Sequence, residues 1–106
     1  MFVTDTVYYL YIMTNAPRGV LYGGMSSDLP ARVREHRECL LPGFTQKYHL
    51  TRLVWFEGHL DAGLTADRER AIKRWRRAWK IGMIERDNPT WADLYDVVLR
   101  EHGFEY

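Results

Sequence analysis

The chain holds a single cysteine, Cys39, among its 106 residues and so cannot close an internal disulfide. A reducing, cytoplasmic setting is the expectation for such cysteine usage. Long hydrophobic runs are also missing. None approaches the roughly 20 apolar residues that a membrane-spanning helix needs, so no membrane partner is expected. Met1 leads into Phe2, Val3, Thr4 and Asp5 with no basic stretch ahead of an apolar segment, so no signal peptide is expected either. Repeats, linkers and low-complexity tracts are absent, which argues for one domain over residues 1–106. A surplus of one charge is lacking too, since the formal net charge is +1. Bulk charge therefore does not announce a nucleic-acid binder.

What is present points to a globular chain. Apolar residues make up 46% and charged residues 27% of the sequence, a balance that supports one modest core. Aromatics reach 14%, including seven tyrosines and four tryptophans, which supply apolar bodies with polar tips. The basic residues are unevenly spread. Arg68, Arg70, Lys73, Arg74, Arg76, Arg77 and Lys80 make up seven of the fifteen, with Glu69 the one acid among them. Such a stripe can meet phosphates even when the total charge is near zero, although a solvated helix face reads the same way.

Residues 7–13 are apolar or aromatic at every position, as in a central strand covered on both faces. Turn chemistry follows at Asn15, Pro17 and Gly19, and residues 20–25 return as the second strand of an antiparallel hairpin. Ser26, Ser27 and Asp28 offer capping oxygens and Pro30 suits a first helical turn, which predicts a helix from about residue 29 to 38 or 40. Residues 44–49 read as a loop and 52–57 as a third strand. A second helix begins near Thr65, breaks at residues 75–77, and is followed by a third over about 78–86. Asn88 and Pro89 stop that one. Residues 91–100 read as a last helix, and 102–106 as a frayed tail. The expected fold class is α+β, a small three-stranded antiparallel sheet flanked by helices.

One stretch carries chemistry. Tyr22, Gly23 and Gly24 lie on a strand, and Arg32 and His36 follow one turn apart on the capped helix. A strand that gives up side-chain bulk at two successive positions lets another group approach its backbone. Together with Tyr9, Leu10 and Tyr11 on the partner strand and Glu69 on a later helix, this pattern resembles the GIY-YIG nuclease superfamily. It is closest to the small stand-alone bacterial members that contain little beyond the nuclease domain. Residues 43–48, 52–57, Arg68, Glu69, Lys73, Trp75 and residues 88–95 add to the likeness, which spans about residues 7–95 and leaves a tail to 106. Two positions depart from the motifs. Tyr9 stands in place of the first glycine, and Gly23 in place of a β-branched apolar residue.

The resemblance implies a metal-dependent endonuclease that hydrolyses DNA phosphodiester bonds, with Tyr11, Tyr22, Arg32, His36 and Glu69 as the catalytic set. Glu69 is then the ligand of Mg²⁺ or Mn²⁺. The residue chemistry agrees with these roles. Mg²⁺ typically uses one or two protein carboxylates and completes its shell with water and phosphate. An arginine grips phosphoryl oxygens bidentately. Tyr11, Tyr22 or His36 could accept the proton of an attacking water. Lys47, Tyr48, Arg70, Lys73, Arg76 and Arg77 are candidate nucleic-acid contacts, whereas Trp75 and Trp79 read as core rather than as base-stacking platforms. Glu57 reads as structural.

Plainer roles exist for each residue. The tyrosines fit a hairpin core, Arg32 and His36 an exposed helix, and Glu69 an i,i+4 ion pair with Lys73. Nothing in the sequence separates DNA from RNA. The room for a recognition element is small, so low sequence specificity and a role in DNA repair or processing are expected, by a monomer or weak homodimer. The competing reading is a nucleic-acid-binding or repair-partner module that does not cleave.

Overall fold

The computed structural model describes residues 6–103. Strand β1 (Tyr8–Thr14) occupies the middle of a three-stranded sheet, between β2 (Leu21–Ser26) and β3 (Arg52–His59), and pairs antiparallel with both. Its unbroken apolar sequence follows from this position. Alternate side chains of β1 enter two cores. Leu10 and Ile12 join Val54, Trp55, Ile72, Met83, Ile84 and Trp91. Tyr11 and Met13 join Leu29, Val33, Leu50, Leu53 and Val98. Helices α3 (Ala62–Arg74) and α4 (Arg77–Asp87) supply the first core, and α1 (Leu29–Arg37) and α5 (Tyr95–Glu101) supply the second. The fold is the expected α+β sheet with helices on both faces.

Local chemistry explains the element boundaries. Asp28 caps α1 by accepting from the Ala31 backbone N–H at 3.3 Å, with Pro30 in the first turn. The second long helix starts at Ala62 rather than near Thr65, because Asp61 caps it through the Leu64 N–H at 2.8 Å. Thr65 then lies one turn inside, fully buried, donating to the Asp61 carbonyl at 2.6 Å. Trp75 adopts an extended conformation (φ −64°, ψ 149°) and separates α3 from α4, as the expected break requires.

Two segments differ from expectation. Residues 44–47 form a short helix, α2 (Phe44–Lys47), where a loop was predicted. Gly43 enters it with φ 100°, a left-handed value that suits glycine. The turn is held from behind by buried Thr45, whose carbonyl accepts from the N–H of buried Leu50 at 2.9 Å. Four residues are too few to display a helical period, so the sequence carried no sign of it. The last helix begins at Tyr95, not at 91. The preceding residues are tied to β3 instead. The Leu94 N–H donates to the Leu53 carbonyl at 2.8 Å, and Asp93 accepts from the Leu53 and Tyr95 N–H groups. Of the expected frayed tail, His102 and Gly103 form a turn, and residues 104–106 lie outside the described residues.

The β1–β3 register slips between Ile12 and Met13, leaving Val54 as the extra residue of a bulge. Buried Asn88 fills the gap in the ladder. Its Nδ2 donates to the Val54 carbonyl at 3.1 Å and to the Ala92 carbonyl at 2.9 Å, while its Oδ1 accepts from the Ala92 N–H. The residue that stops α4 therefore also ties the helix end to the sheet.

Candidate active site

Tyr11 stands at the centre of the site. It lies on β1 directly opposite Gly24, and its side chain is 1% exposed. A Cβ built on Gly24 would come within 2.5 Å of Tyr11 Oη and 2.6 Å of Cζ. The phenol thus lies across Gly24 in space that no side chain can share. Gly23 is different, for its Cβ would meet nothing closer than the Tyr11 carbonyl at 3.9 Å. Of the glycine pair, only Gly24 makes room for the tyrosine.

Helix α1 brings Arg32 and His36 to the same place, being capped at Asp28 and anchored by buried Leu29 and Val33. His36 is 3% exposed, and its Nε2 lies 2.9 Å from Tyr11 Oη. The Tyr22 ring packs on the other side of the imidazole, with centroids 5.7 Å apart. Two buried nitrogens, Arg32 Nε and His36 Nδ1, have no hydrogen-bond partner. Glu35 approaches Arg32 Nε only to 3.6 Å, a long i,i+3 ion pair. A bare lone pair on Nδ1 is a cheaper orphan than a buried N–H. That favours the tautomer in which Nε2–H donates to Tyr11 Oη.

Burial dominates the titration of this group. The Tyr11 phenol is pushed up to about 12, first by desolvation and then by Tyr22, with Arg32 pulling the other way and Glu69 adding a smaller upward push. At Tyr11 burial outweighs the pull of Arg32 toward the phenolate. His36 is pushed down to about 4, chiefly by burial and then by the Arg32 charge, against a weaker pull from Glu35. It is therefore neutral near pH 7.

Linkage turns this into a measurable pH dependence. His36 takes a proton near pH 6.5 in the unfolded chain but only near 4 in the folded one. Its contribution to stability is complete above pH 6.5 and is lost as the pH falls toward 4. Urea unfolding of the wild type at about pH 7 and about pH 4.5 should differ by about 2 kcal/mol more than it does in His36→Gln. The variant subtracts the loss from Glu57, held low chiefly by Arg68, and from Glu85, held low chiefly by Arg18. Equal pH slopes in the two proteins would show that His36 is not held neutral by the fold.

Glu69 approaches from the opposite face. Helix α3 lies across β2 and β1 on the side of Leu10 and Ile12, and Glu69 borders a cleft with Tyr11, Gly23, Gly24, Ile72 and Lys73. Because β2 is the edge strand and bears only glycines at 23 and 24, the cleft opens at a thin sheet edge. The Glu69 side chain is 22% exposed and pairs with Lys73 Nζ at 2.6 Å. Among the described residues no three His, Cys, Asp or Glu side chains gather as a metal set. A half-buried lone carboxylate at the mouth of a cleft fits an Mg²⁺-like ion that takes most of its shell from water and phosphate. Such an ion would displace the Lys73 ammonium.

The other expected contacts are divided. Lys47 Nζ sits 5.4 Å from the centre of the exposed Tyr48 ring, which in turn meets the Phe44 ring at 4.8 Å. Arg70 pairs with Asp67, and Arg76 stacks over Trp79 with both in solvent. Arg77 is committed to structure, donating to the Gly19 carbonyl at 2.7 Å and to that of Arg18, which fastens the β1–β2 turn to α4. Glu57 is structural as expected, binding Arg68 at 2.9 and 3.2 Å. Trp75 is half-buried against the core, but Trp79, expected there, is 57% exposed. The break at residue 75 takes Trp75 out of the helix, and Trp79 meets it edge-on at 6.3 Å from the solvent side. Sequence reasoning missed Phe44, whose ring stacks beside Tyr22. Its only signal was an aromatic next to Lys47 and Tyr48 in the supposed loop.

A family model, the GIY-YIG catalytic domain, matches residues 7–82. The chain belongs to the GIY-YIG family. That family is one of nucleases, of the hydrolase class. Comparison with curated proteins, and with solved structures, gives no match. The matched residues contain β1, β2, α1, β3 and α3, so Tyr11, Tyr22, Arg32, His36 and Glu69 all fall inside the GIY-YIG domain. Helix α5, beyond the match, closes the core beneath Tyr11 through Val98.

Proposed function

We propose that this GIY-YIG protein is a cytoplasmic, divalent-metal-dependent endonuclease that cleaves DNA phosphodiester bonds with low sequence specificity, in DNA repair or processing. The observation that carries this reading is the convergence on one sheet edge of a buried Tyr11–His36 pair, an arginine with an unpartnered Nε, and a half-buried carboxylate. Arg32 meets the non-bridging phosphoryl oxygens and neutralises charge that builds on them. Tyr22, half-exposed on the edge strand, acts in its phenolate form, its Oη taking the proton of the attacking water and becoming the phenol. Tyr11 is too buried and too weakly acidic for that task. It positions the neutral His36 ring against which Tyr22 packs. Glu69 holds Mg²⁺ or Mn²⁺, and the chemistry such an ion supplies when bound is polarisation of the phosphate and help for the leaving oxygen.

The test is nicking of supercoiled plasmid with Mg²⁺, with Mn²⁺, and with chelator. Nicking that appears with either metal and vanishes with chelator is expected. Salt-sensitive DNA binding with no nicking in any metal would instead support a module that binds without cutting.

A further inference from the structure

Five rings run outward from the centre of the site without a gap. Tyr11 and His36 have centroids 5.5 Å apart, and His36 and Tyr22 5.7 Å. Tyr22 and Phe44 are stacked at 6.4 Å with an interplanar angle of 27°, and Phe44 and Tyr48 are 4.8 Å apart. The row begins buried and ends in solvent, with Phe44 48% and Tyr48 41% exposed. Core packing does not require these last two rings, because α2 is anchored by Thr45 and Leu50 on its other side. The Gln46 side chain further fixes the turn by donating to the Cys39 carbonyl at 3.0 Å. A small domain thus holds two aromatic rings rigidly in water beside its active site. Lys47 lies over the Tyr48 ring and adds a cation.

We infer that Phe44 and Tyr48 form a stacking platform for an unpaired nucleobase of the strand being cut. The inference deepens the nuclease reading and rests on it. Stacking on an aromatic ring is available to every base, so it confers no sequence preference. It does demand that the base leave its pair. A base held in duplex cannot lie on Phe44, whereas one in a single strand, flap or frayed end can. The Lys47 ammonium serves the backbone phosphate of that nucleotide. The platform thereby supplies selectivity for unpaired structure.

Binding and cutting are separated by measuring in Glu69→Gln, which retains the platform. The probes are a fluorescent oligothymidylate and an abasic strand of equal length and charge, at fixed salt. The oligothymidylate should bind about tenfold more tightly, and Phe44→Leu in the same background should abolish that difference. Phe44→Trp should restore it. If the two strands bind equally, or if Phe44→Leu weakens both alike, the platform is wrong. Base-selective binding by a wild type that cuts nothing would sink the nuclease reading and leave the platform standing. Concentration-dependent sedimentation that Phe44→Leu abolishes would assign the rings to a second copy of the chain and overturn the inference.

Discussion

Arg32→Ala should lower the nicking rate by ~10²–10³-fold, the effect of removing one electrostatic group that stabilises charge in a transition state. The fold should tolerate the change. The losses are modest, because the guanidinium gives up its interaction with the Tyr11 phenol and a 3.6 Å contact to Glu35, and half-exposed pairs at i,i+3 contribute only tenths of a kcal/mol. Arg32→Lys should recover part of the rate, because a single ammonium keeps the charge but loses the bidentate grip. A second readout does not depend on catalysis. Arg32 is one of the two causes that hold the His36 imidazole low, so the His36 titration should move upward in Arg32→Ala when followed by NMR. Wild-type nicking by Arg32→Ala with an unmoved His36 titration would place the arginine outside the site.

Gly24→Val should destabilise the fold, whereas Gly23→Val should not. At residue 24 the new Cβ would sit 2.5 Å from Tyr11 Oη, and the ring cannot retreat because it is buried against Leu29 and Val33 and bonded to His36. Overpacking of this kind costs about 1–3 kcal/mol or more. Whatever shift relieves the clash moves Tyr11 from His36, so nicking should fall together with the melting temperature. At residue 23 the nearest atom is 3.9 Å away, and valine favours a strand more than glycine does. Gly23→Val should leave the melting temperature unchanged or raise it by the equivalent of up to about 1 kcal/mol. The pair of melting curves decides the matter. If both variants melt alike, the phenol does not lie across Gly24.

Much of the architecture was legible in the sequence because it depends on neighbours along the chain. The unbroken apolar run at 7–13 marks a strand with two covered faces, and the strand it forms, Tyr8–Thr14, is the central one. Asp28 and Pro30 set the start of α1 by local hydrogen bonding and sterics. The candidate catalytic residues were legible through a motif spacing on the hairpin and α1, with Glu69 supplied by the resemblance. The exceptions were segments whose conformation depends on distant partners. Residues 91–94 give up a helix to bond β3. The α2 turn exists because Thr45 and Leu50 are buried behind it. Trp79 carries the same apolar side chain as the core tryptophans, yet the turn at Trp75 leaves it in solvent.

The sequence by itself determined which groups are available: two tyrosines, an arginine, a histidine and one acid within a basic stripe, on elements whose local chemistry is strong. Only the tertiary structure decided their state. It buried Tyr11 and His36 against each other and so drove one pKa up and the other down, against what the nearby Arg32 alone suggested for the phenol. It also divided the cations, tying Arg77 to a turn and Lys73 to Glu69. Desolvation and ion pairing act through space, over groups that lie far apart along the chain, and residue order alone does not specify them.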